Sequence, residues 1–199
     1  MKKFLNHPQF FWFILAIPSI PMMIGLTQGA DPGRLLHPTG EFSARFMILA
    51  MMLTPALQLS KRLKMGTRFV YWLVQRRRAL GVAAFGYALL HTVFYILDVE
   101  LLKDMLAELW TLGIWTGWLA FVIFIPMAVT SNQASVAALG KKWKKIQRWV
   151  YAAAVLTLVH WIFVHNNLGP ALVHFLPLAL LEAYRIGEFL LQRKSKSTQ

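Results

Sequence analysis

Two histidines within apolar segments are the first residues of this chain to which chemistry can be assigned. An ionisable side chain inside a lipid bilayer is costly, so by default it is a functional candidate. His91 and His160 each stand about a dozen residues beyond a basic residue that marks the start of an apolar run. At 1.5 Å of rise per residue, both imidazoles lie about 18–20 Å into the membrane. Two histidines at one depth on parallel helices can each give one nitrogen to the iron of a b-type haem.

Small residues share the helix faces of both histidines. Residues three, four and seven apart lie on one face of a helix, which places Gly81, Ala84 and Ala88 with His91, and Ala153 and Thr157 with His160. Small side chains leave room for a flat macrocycle, but they also permit close helix packing. Two interpretations therefore stay open here: a bis-histidine haem site, or a packed helix pair whose histidines are hydrogen-bonded to their neighbours.

Three arginines are further candidates for binding a cofactor. Arg45 lies just inside the predicted outer boundary, where it could pair with haem propionates. The alternatives are a pair with Glu41 or a side chain that reaches the membrane surface. Arg77 and Arg78, with Arg76, stand at the predicted inner boundary. They fit lipid headgroups and, alternatively, the phosphate of a flavin such as FMN, a quinone or an acidic electron donor.

The remaining histidines are predicted to lie outside this site. His165 follows His160 by five residues, roughly 140° round a helix, so the two should not share a site. We expect His37, His165 and His174 to be polar residues near the outer surface, and His7 to lie at the cytoplasmic end. His165 or His174 could also line an outer exit for electrons or protons.

The elements that must position these residues are membrane-spanning helices. The chain is 57% hydrophobic and 15% charged, against roughly 45–50% and 25% for a soluble domain. We predict an all-α integral membrane protein, a six-transmembrane helix bundle that forms a single domain over residues 1–199. A span needs roughly 20 mainly apolar residues, and six segments qualify: 9–27, 41–59, 79–97, 111–130, 149–166 and 171–191.

The distribution of basic residues sets the predicted orientation. Most of the 21 Lys and Arg residues fall in the N-terminal segment, the 60–78 loop, the 131–148 loop and the C-terminal tail, which share one side of a six-span topology. The positive-inside rule makes that side cytoplasmic, so both termini are predicted to be cytoplasmic in a multi-pass protein of the bacterial inner membrane. The 28–40 loop, with a turn at 29–33, then faces outward and the second helix starts at residues 39–40. The net charge of +13 reflects this topology and not a nucleic-acid partner.

The absence of cysteine narrows the possible chemistry. A chain with no cysteine has no disulfide, iron–sulfur cluster, thiol catalysis or covalently attached c-type haem. The sequence also lacks a glycine-rich nucleotide-binding loop. Electron donors and acceptors must therefore be separate from this chain.

Four stretches resemble a known family. Residues 75–91 read QRRRALGVAAFGYALLH. They resemble the R-R-x-L-G-x-x-A-F-x-Y-x-x-L-H signature of the haem-binding membrane subunit of methionine sulfoxide reductase systems, the MsrQ family of the ferric reductase-like transmembrane group. Residues 31–55 resemble its first outer loop and second span, and 128–131 the end of its fourth span. Residues 139–151, followed by His160, resemble its L-G-x-x-W-x-x-L-H-R-x-V-Y run and downstream histidine.

The resemblance implies an electron-transfer subunit rather than a self-contained enzyme. It would pass electrons from a quinol or flavin donor, through haem b held by His91 and His160, to a periplasmic oxidoreductase, here a methionine sulfoxide reductase. The chain departs from the family at Gln147, where relatives have a histidine. Glutamine is a poor iron ligand, and the third-span residues at that depth are Arg77 and Arg78, which cannot replace it. We therefore predict one haem, in the outer leaflet. The alternative is a structural or accessory subunit of a larger membrane complex that has kept the fold and lost one or all haems.

Overall fold

The computed structural model describes residues 8–196, which form helices and turns and, within that range, no β-strand. His7, expected at the cytoplasmic end, lies outside the described residues. The helices, numbered in chain order, are α1 (Pro8–Ala16), α2 (Ser19–Thr27), α3 (Pro32–Leu63), α4 (Thr67–Val74), α5 (Arg77–Val99), α6 (Leu102–Glu108), α7 (Leu112–Val129), α8 (Gln133–Leu139), α9 (Lys141–Gln147), α10 (Val150–His165) and α11 (Leu168–Lys196).

Two antiparallel helix pairs form the centre of the bundle. The most extensive packing joins α3 to α5 and α7 to α10, whereas α5 and α7 pack together over a shorter stretch. Small side chains let the first pair approach closely: Ala44 and Ala84 are buried, and the Ser43 hydroxyl donates a hydrogen bond to the Ala84 carbonyl at 2.9 Å. α11 packs against α3 on the outside of these pairs.

Helix α3 begins earlier than predicted. The sequence interpretation placed a turn at 29–33 and a helix start at residues 39–40, but α3 begins at Pro32. The Asp31 carboxylate accepts a hydrogen bond from the Gly33 N–H at 3.0 Å, which caps the helix. Proline is favoured at the first helical position because its φ is already helical and it has no N–H to satisfy. The connection before α3 is therefore short, and the predicted helix start at residues 39–40 was wrong.

The described residues contain four helices that are long and apolar enough to cross a membrane: α3, α5, α7, and α10 with the preceding α9. α1 and α2 are bent by 48° at the break between them and give a fifth if they are counted as one span. α11 has 29 residues but carries Glu182, Arg185 and Glu188 in its second half. The all-α multi-pass architecture agrees with the prediction, and the six-span count stays a prediction.

Candidate functional site

His91 on α5 is held by the first turns of α3. Its Nδ1 lies 2.9 Å from the Leu36 carbonyl oxygen and 3.4 Å from the Thr39 hydroxyl. A carbonyl oxygen can only accept, so Nδ1 carries the proton and donates it. The Thr39 hydroxyl itself donates back to the Leu35 carbonyl at 2.7 Å. The other ring nitrogen of His91, Nε2, is thereby left with its lone pair.

His160 on α10 is held in the same way by the start of α7. Its Nδ1 donates to the Gly113 carbonyl oxygen at 2.7 Å. A histidine that ligates a metal commonly donates its second ring N–H to a carbonyl or carboxylate, which fixes the tautomer and the ring orientation. Both histidines therefore have the arrangement of Nε2 metal ligands.

The two imidazoles face one another across a cleft between the helix pairs. Their ring centroids are 6.0 Å apart and their planes are nearly perpendicular, at 86°. A metal between two imidazole nitrogens, with bonds of about 2 Å to each, places the centroids roughly 6 Å apart. Among the described residues, no hydrogen-bond partner occupies either Nε2. The ring spacing of His91 and His160 therefore matches that of two imidazoles that share one metal ion.

The cleft is partly open to the surroundings of the bundle, and about 690 Å³ of atom-free space lies in and at the mouth of it. Its walls combine small residues with aromatic rings, as a flat apolar cofactor requires. The small residues next to the histidines are Gly40, Ser43, Ala88 and Gly117, and the rings are Tyr95, Trp118, Phe121 and Phe124.

Two glycines bring the backbone against the imidazoles. A Cβ added at Gly117 would lie 2.6 Å from His160 Nδ1, and one added at Gly40 would lie 3.1 Å from His91 Nδ1. Real Cβ atoms do not approach a ring atom as closely as the first distance. Because Gly40 and Gly117 have no side chain, α3 and α7 can pass close enough to the imidazoles for their main-chain carbonyls to accept hydrogen bonds from the rings.

Arg45 lies 13 residues after the first residue of α3, near the middle of the helix, so its predicted position just inside the start of that helix was wrong. It is not among the residues that line the cleft. Its guanidinium donates to the Glu41 carboxylate at 2.7 Å and, through Nε, to His174 Nε2 at 3.1 Å. His174 in turn stacks on Trp161 at 4.9 Å between ring centroids. The structure thus brings Arg45 to Glu41, one of the alternatives read from the sequence, and binding to a propionate stays a prediction.

The inner arginines lie far along α5 from His91. Arg77 donates to the Thr54 hydroxyl at 2.8 Å, and Arg78 is exposed. Arg76 lies flat over Trp72, with its guanidinium carbon 3.7 Å from the ring centroid. Burial lowers the pKa of Arg76 from its ordinary value. No described contact joins these arginines to the histidine cleft.

Gln147 is engaged at the inner end of α7. Its side-chain amide donates to the Met127 carbonyl at 3.0 Å and to the Thr130 hydroxyl at 3.2 Å. The Trp143 indole N–H donates to the Thr130 carbonyl at 2.9 Å. The last carbonyls of a helix lack partners within it, so Gln147 and Trp143 satisfy groups that the end of α7 leaves free.

Two contacts near the site had no signal in the sequence. His37 on α3 and His165 on α10 meet edge to face, with ring centroids 5.0 Å apart. The Tyr95 hydroxyl, at the rim of the cleft, donates to the Glu108 carboxylate at 2.7 Å. Each contact joins residues on two different helices. Residue spacing within one helix does not encode how separate helices pack, so it could not predict these contacts.

Comparison with known proteins places this architecture in a family. The family model described as "Ferric reductase like transmembrane component" matches residues 39–158, which include both candidate ligands. No solved structure matches the chain.

Several curated relatives carry the name "Protein-methionine-sulfoxide reductase heme-binding subunit MsrQ". The relative from Azospira oryzae is 32% identical over 187 residues, which cover 89% of this chain and 77% of the relative. The relative from Rhizobium meliloti is 33% identical over 196 residues, covering 93% and 86%. The relative from Pectobacterium atrosepticum is 30% identical over 178 residues, covering 83% of each. The resemblance drawn from the sequence motifs is confirmed, and the chain belongs to the MsrQ family of ferric reductase-like transmembrane proteins.

Proposed function

We propose that this protein is a haem b-binding subunit that carries electrons across the membrane to an oxidoreductase. The observation that carries the proposal is the neighbouring pair of His91 and His160, each with Nδ1 bound to a main-chain carbonyl, which leaves its Nε2 lone pair for another ligand. The relatives are named heme-binding subunits of protein-methionine-sulfoxide reductase. The acceptor proposed here is accordingly a methionine sulfoxide reductase on the periplasmic side.

In this proposal the Nε2 atoms of His91 and His160 would hold the haem iron. A bis-imidazole haem, when bound, takes up and releases a single electron. The carbonyls of Leu36 and Gly113 keep each ring in one tautomer and raise the basicity of its Nε2. Haem is held without a covalent bond, because the chain has no cysteine for a c-type attachment.

The proposed haem lies in the outer leaflet. Leu36 and Gly113 both stand within the first two turns of their helices, α3 and α7. In the proposed topology those turns are the outer ends of the helices, because basic residues concentrate at the other ends. We assign Arg45, which lies 13 residues into α3, to a haem propionate, for which it would exchange its bond to Glu41.

Electrons enter from the inner side in this scheme. Arg77 and Arg78 lie at the first turn of α5, where a flavin such as FMN or a quinone can meet two positive charges. Gln147 offers no imidazole at this depth, and its amide is already bound to the end of α7. We therefore infer a single haem. A quinol or flavin donor would bind in the place that a second haem would occupy.

Six spans with cytoplasmic termini complete the proposal. Arg185 of α11 donates to the Tyr151 hydroxyl at 2.8 Å, and Tyr151 stands at the first turn of α10. The segment of α11 before Arg185 therefore runs alongside α10, and we infer that it forms the sixth span, at the short end of the length range for a membrane helix. The protein is then a multi-pass component of the bacterial inner membrane.

The ligand assignment predicts the effect of single histidine changes. We expect His91→Ala and His160→Ala each to abolish the low-spin b-type signal or convert it to high spin, because one axial nitrogen is lost. The measurement is a reduced-minus-oxidised absorption spectrum of the purified protein. His165→Ala is the matched control on the same helix as His160 and should keep the signal. A full low-spin signal in both ligand variants contradicts the assignment, and a colourless wild-type protein favours the accessory-subunit alternative.

The close approach of Gly117 predicts a sensitive position beside the ligand. Gly117→Ala places a methyl group 2.6 Å from His160 Nδ1, so the ring must turn away from the Gly113 carbonyl. We expect the haem-to-protein ratio to fall strongly in this variant, measured by pyridine haemochrome against protein concentration. Gly81→Ala is the matched control, since a Cβ there meets nothing within 4 Å. Equal haem content in both variants contradicts the proposed role of the carbonyl.

The absence of an inner haem ligand predicts the stoichiometry. We expect a haem-to-protein ratio near one, because Gln147 cannot ligate iron and no histidine among residues 8–196 lies at that end of the bundle. A ratio near two contradicts this prediction. In Gln147→His, recruitment of a second, high-spin haem indicates that the inner pocket persists, whereas an unchanged ratio indicates that the pocket has closed around the end of α7.

The proposed orientation is tested with fused reporters. A phosphatase that is active only in the periplasm should be inactive when fused after Gln199 and active when inserted after Asn167, in the predicted outer turn. Phosphatase activity of the Gln199 fusion contradicts a cytoplasmic C-terminus and the six-span count with it.

A further inference from the structure

Helix α4 has an apolar face that no part of the described protein covers. Leu73 and Val74 pack against the buried cluster around Leu53 and Leu80. Phe69 is 65% exposed, and Leu63, Met65 and Tyr71, on α4 and the segment before it, are exposed as well. Several large apolar side chains exposed on one short segment of a folded chain mark a contact surface.

The position of α4 places this face at the boundary of the bilayer. α4 connects the end of α3 to the start of α5, and both of those helices are long and apolar enough to span. Lys64 and Gly66 both adopt left-handed backbone conformations, with φ of 55° and 65°, and reverse the chain at the end of α3. The Thr67 hydroxyl donates to the Ser60 carbonyl at 3.1 Å, which fixes the folded-back helix against the end of α3.

The orientation of the exposed face is set by stacked rings. The Phe69 and Trp72 rings are nearly parallel, at 12°, with centroids 6.2 Å apart, and the Arg76 guanidinium covers the Trp72 ring. Phe11 of α1 meets the edge of Trp72 at 5.8 Å. This stack anchors α4 to α1 and α5, so its outer face keeps one direction.

Charge decides between the possible occupants of the face. Lys64 and Arg68 are exposed beside the apolar residues, and Lys61 and Arg62 occupy the last turn of α3. Aromatic and aliphatic side chains bordered by Lys and Arg are the composition of helices that lie in the headgroup region and attract anionic lipids. A water-soluble partner would leave the apolar residues exposed whenever it dissociated, whereas lipid surrounds them at all times.

We propose that α4 is an interfacial helix that binds anionic phospholipid. Its apolar residues, led by Phe69, lie between the headgroups and the first methylene groups of the leaflet at which α3 ends. Lys64 and Arg68 contact lipid phosphates from the same helix and turn. This site is separate from the histidine cleft and requires no haem.

The depth of α4 is tested on the whole chain in phosphatidylglycerol-containing nanodiscs. The chain has no cysteine, so a spin label attached to Phe69→Cys reports from that position alone. Val122→Cys, on the exposed surface of α7, is the lipid-facing reference, and Arg193→Cys, at the basic end of α11, is the water-facing one. We expect the Phe69→Cys label to collide with oxygen more than with a soluble nickel chelate, as the Val122→Cys label does. A preference for the nickel chelate like that of Arg193→Cys overturns the proposal.

The lipid charge is tested by competition in mixed micelles of phosphatidylglycerol and phosphatidylcholine, with retained lipid counted by native mass spectrometry. We expect the wild-type preference for phosphatidylglycerol to fall about fivefold for each charge removed in Lys64→Gln/Arg68→Gln. Lys141→Gln/Lys142→Gln removes the same charge from α9 and should retain most of the preference. Equal losses in the two double variants overturn the site at α4. The haem spectrum of each preparation is recorded alongside, so a failure of the haem proposal is seen separately.

Discussion

The candidate site depends on a hydrogen bond from an imidazole Nδ1–H to a main-chain carbonyl, which the fold makes twice. A histidine without that bond can rotate and can exchange its two tautomers, so neither nitrogen is dedicated to a metal. Here the Leu36 and Gly113 carbonyls fix the choice for His91 and His160. Each hydrogen bond also fixes how closely the two helices pass. An imidazole that reaches the main chain leaves no space for a side chain one turn further on, where Gly40 and Gly117 lie. Helix spacing, ring orientation and the nitrogen available to iron are therefore set together.

The end of the bundle opposite the histidine cleft uses its hydrogen bonds differently. The Gln147 amide donates to the Met127 carbonyl and the Thr130 hydroxyl at the end of α7, where a neutral imidazole would offer a single donor. The histidine cleft lies at the other ends of these helices, whereas here a side chain binds the last turn of α7. One position thus has two incompatible uses, as a cap for α7 or as a ligand to a second iron, and in this chain glutamine takes the first.

Residue spacing predicted the membrane class and the equal depth of the two histidines, because periodicity and helical rise are local properties. The family came from the resemblance of short motifs, which is also read locally. It did not predict that a glycine would lie against each ring, since Gly40 and Gly117 acquire that role only from the helix that crosses them. The start of α3 was misplaced because Asp31 and Pro32 were interpreted as a turn, although aspartate before proline is equally a helix cap. The contact of His37 with His165 has no local signature for the same reason as the glycines.

The pairing of the helices has a consequence for the mechanics of the site. His91 and its carbonyl partner both belong to the pair α3 and α5, and His160 and its partner both belong to the pair α7 and α10. Each ligand candidate and the carbonyl that orients it thus lie within one helix pair, and the two pairs meet through α5 on α7, through α3 on α10 and through α11. A shift of one pair against the other would change the distance between the two Nε2 atoms without breaking either hydrogen bond. The distance between the rings therefore depends on how the pairs pack together, whereas the orientation of each ring depends on packing within its own pair.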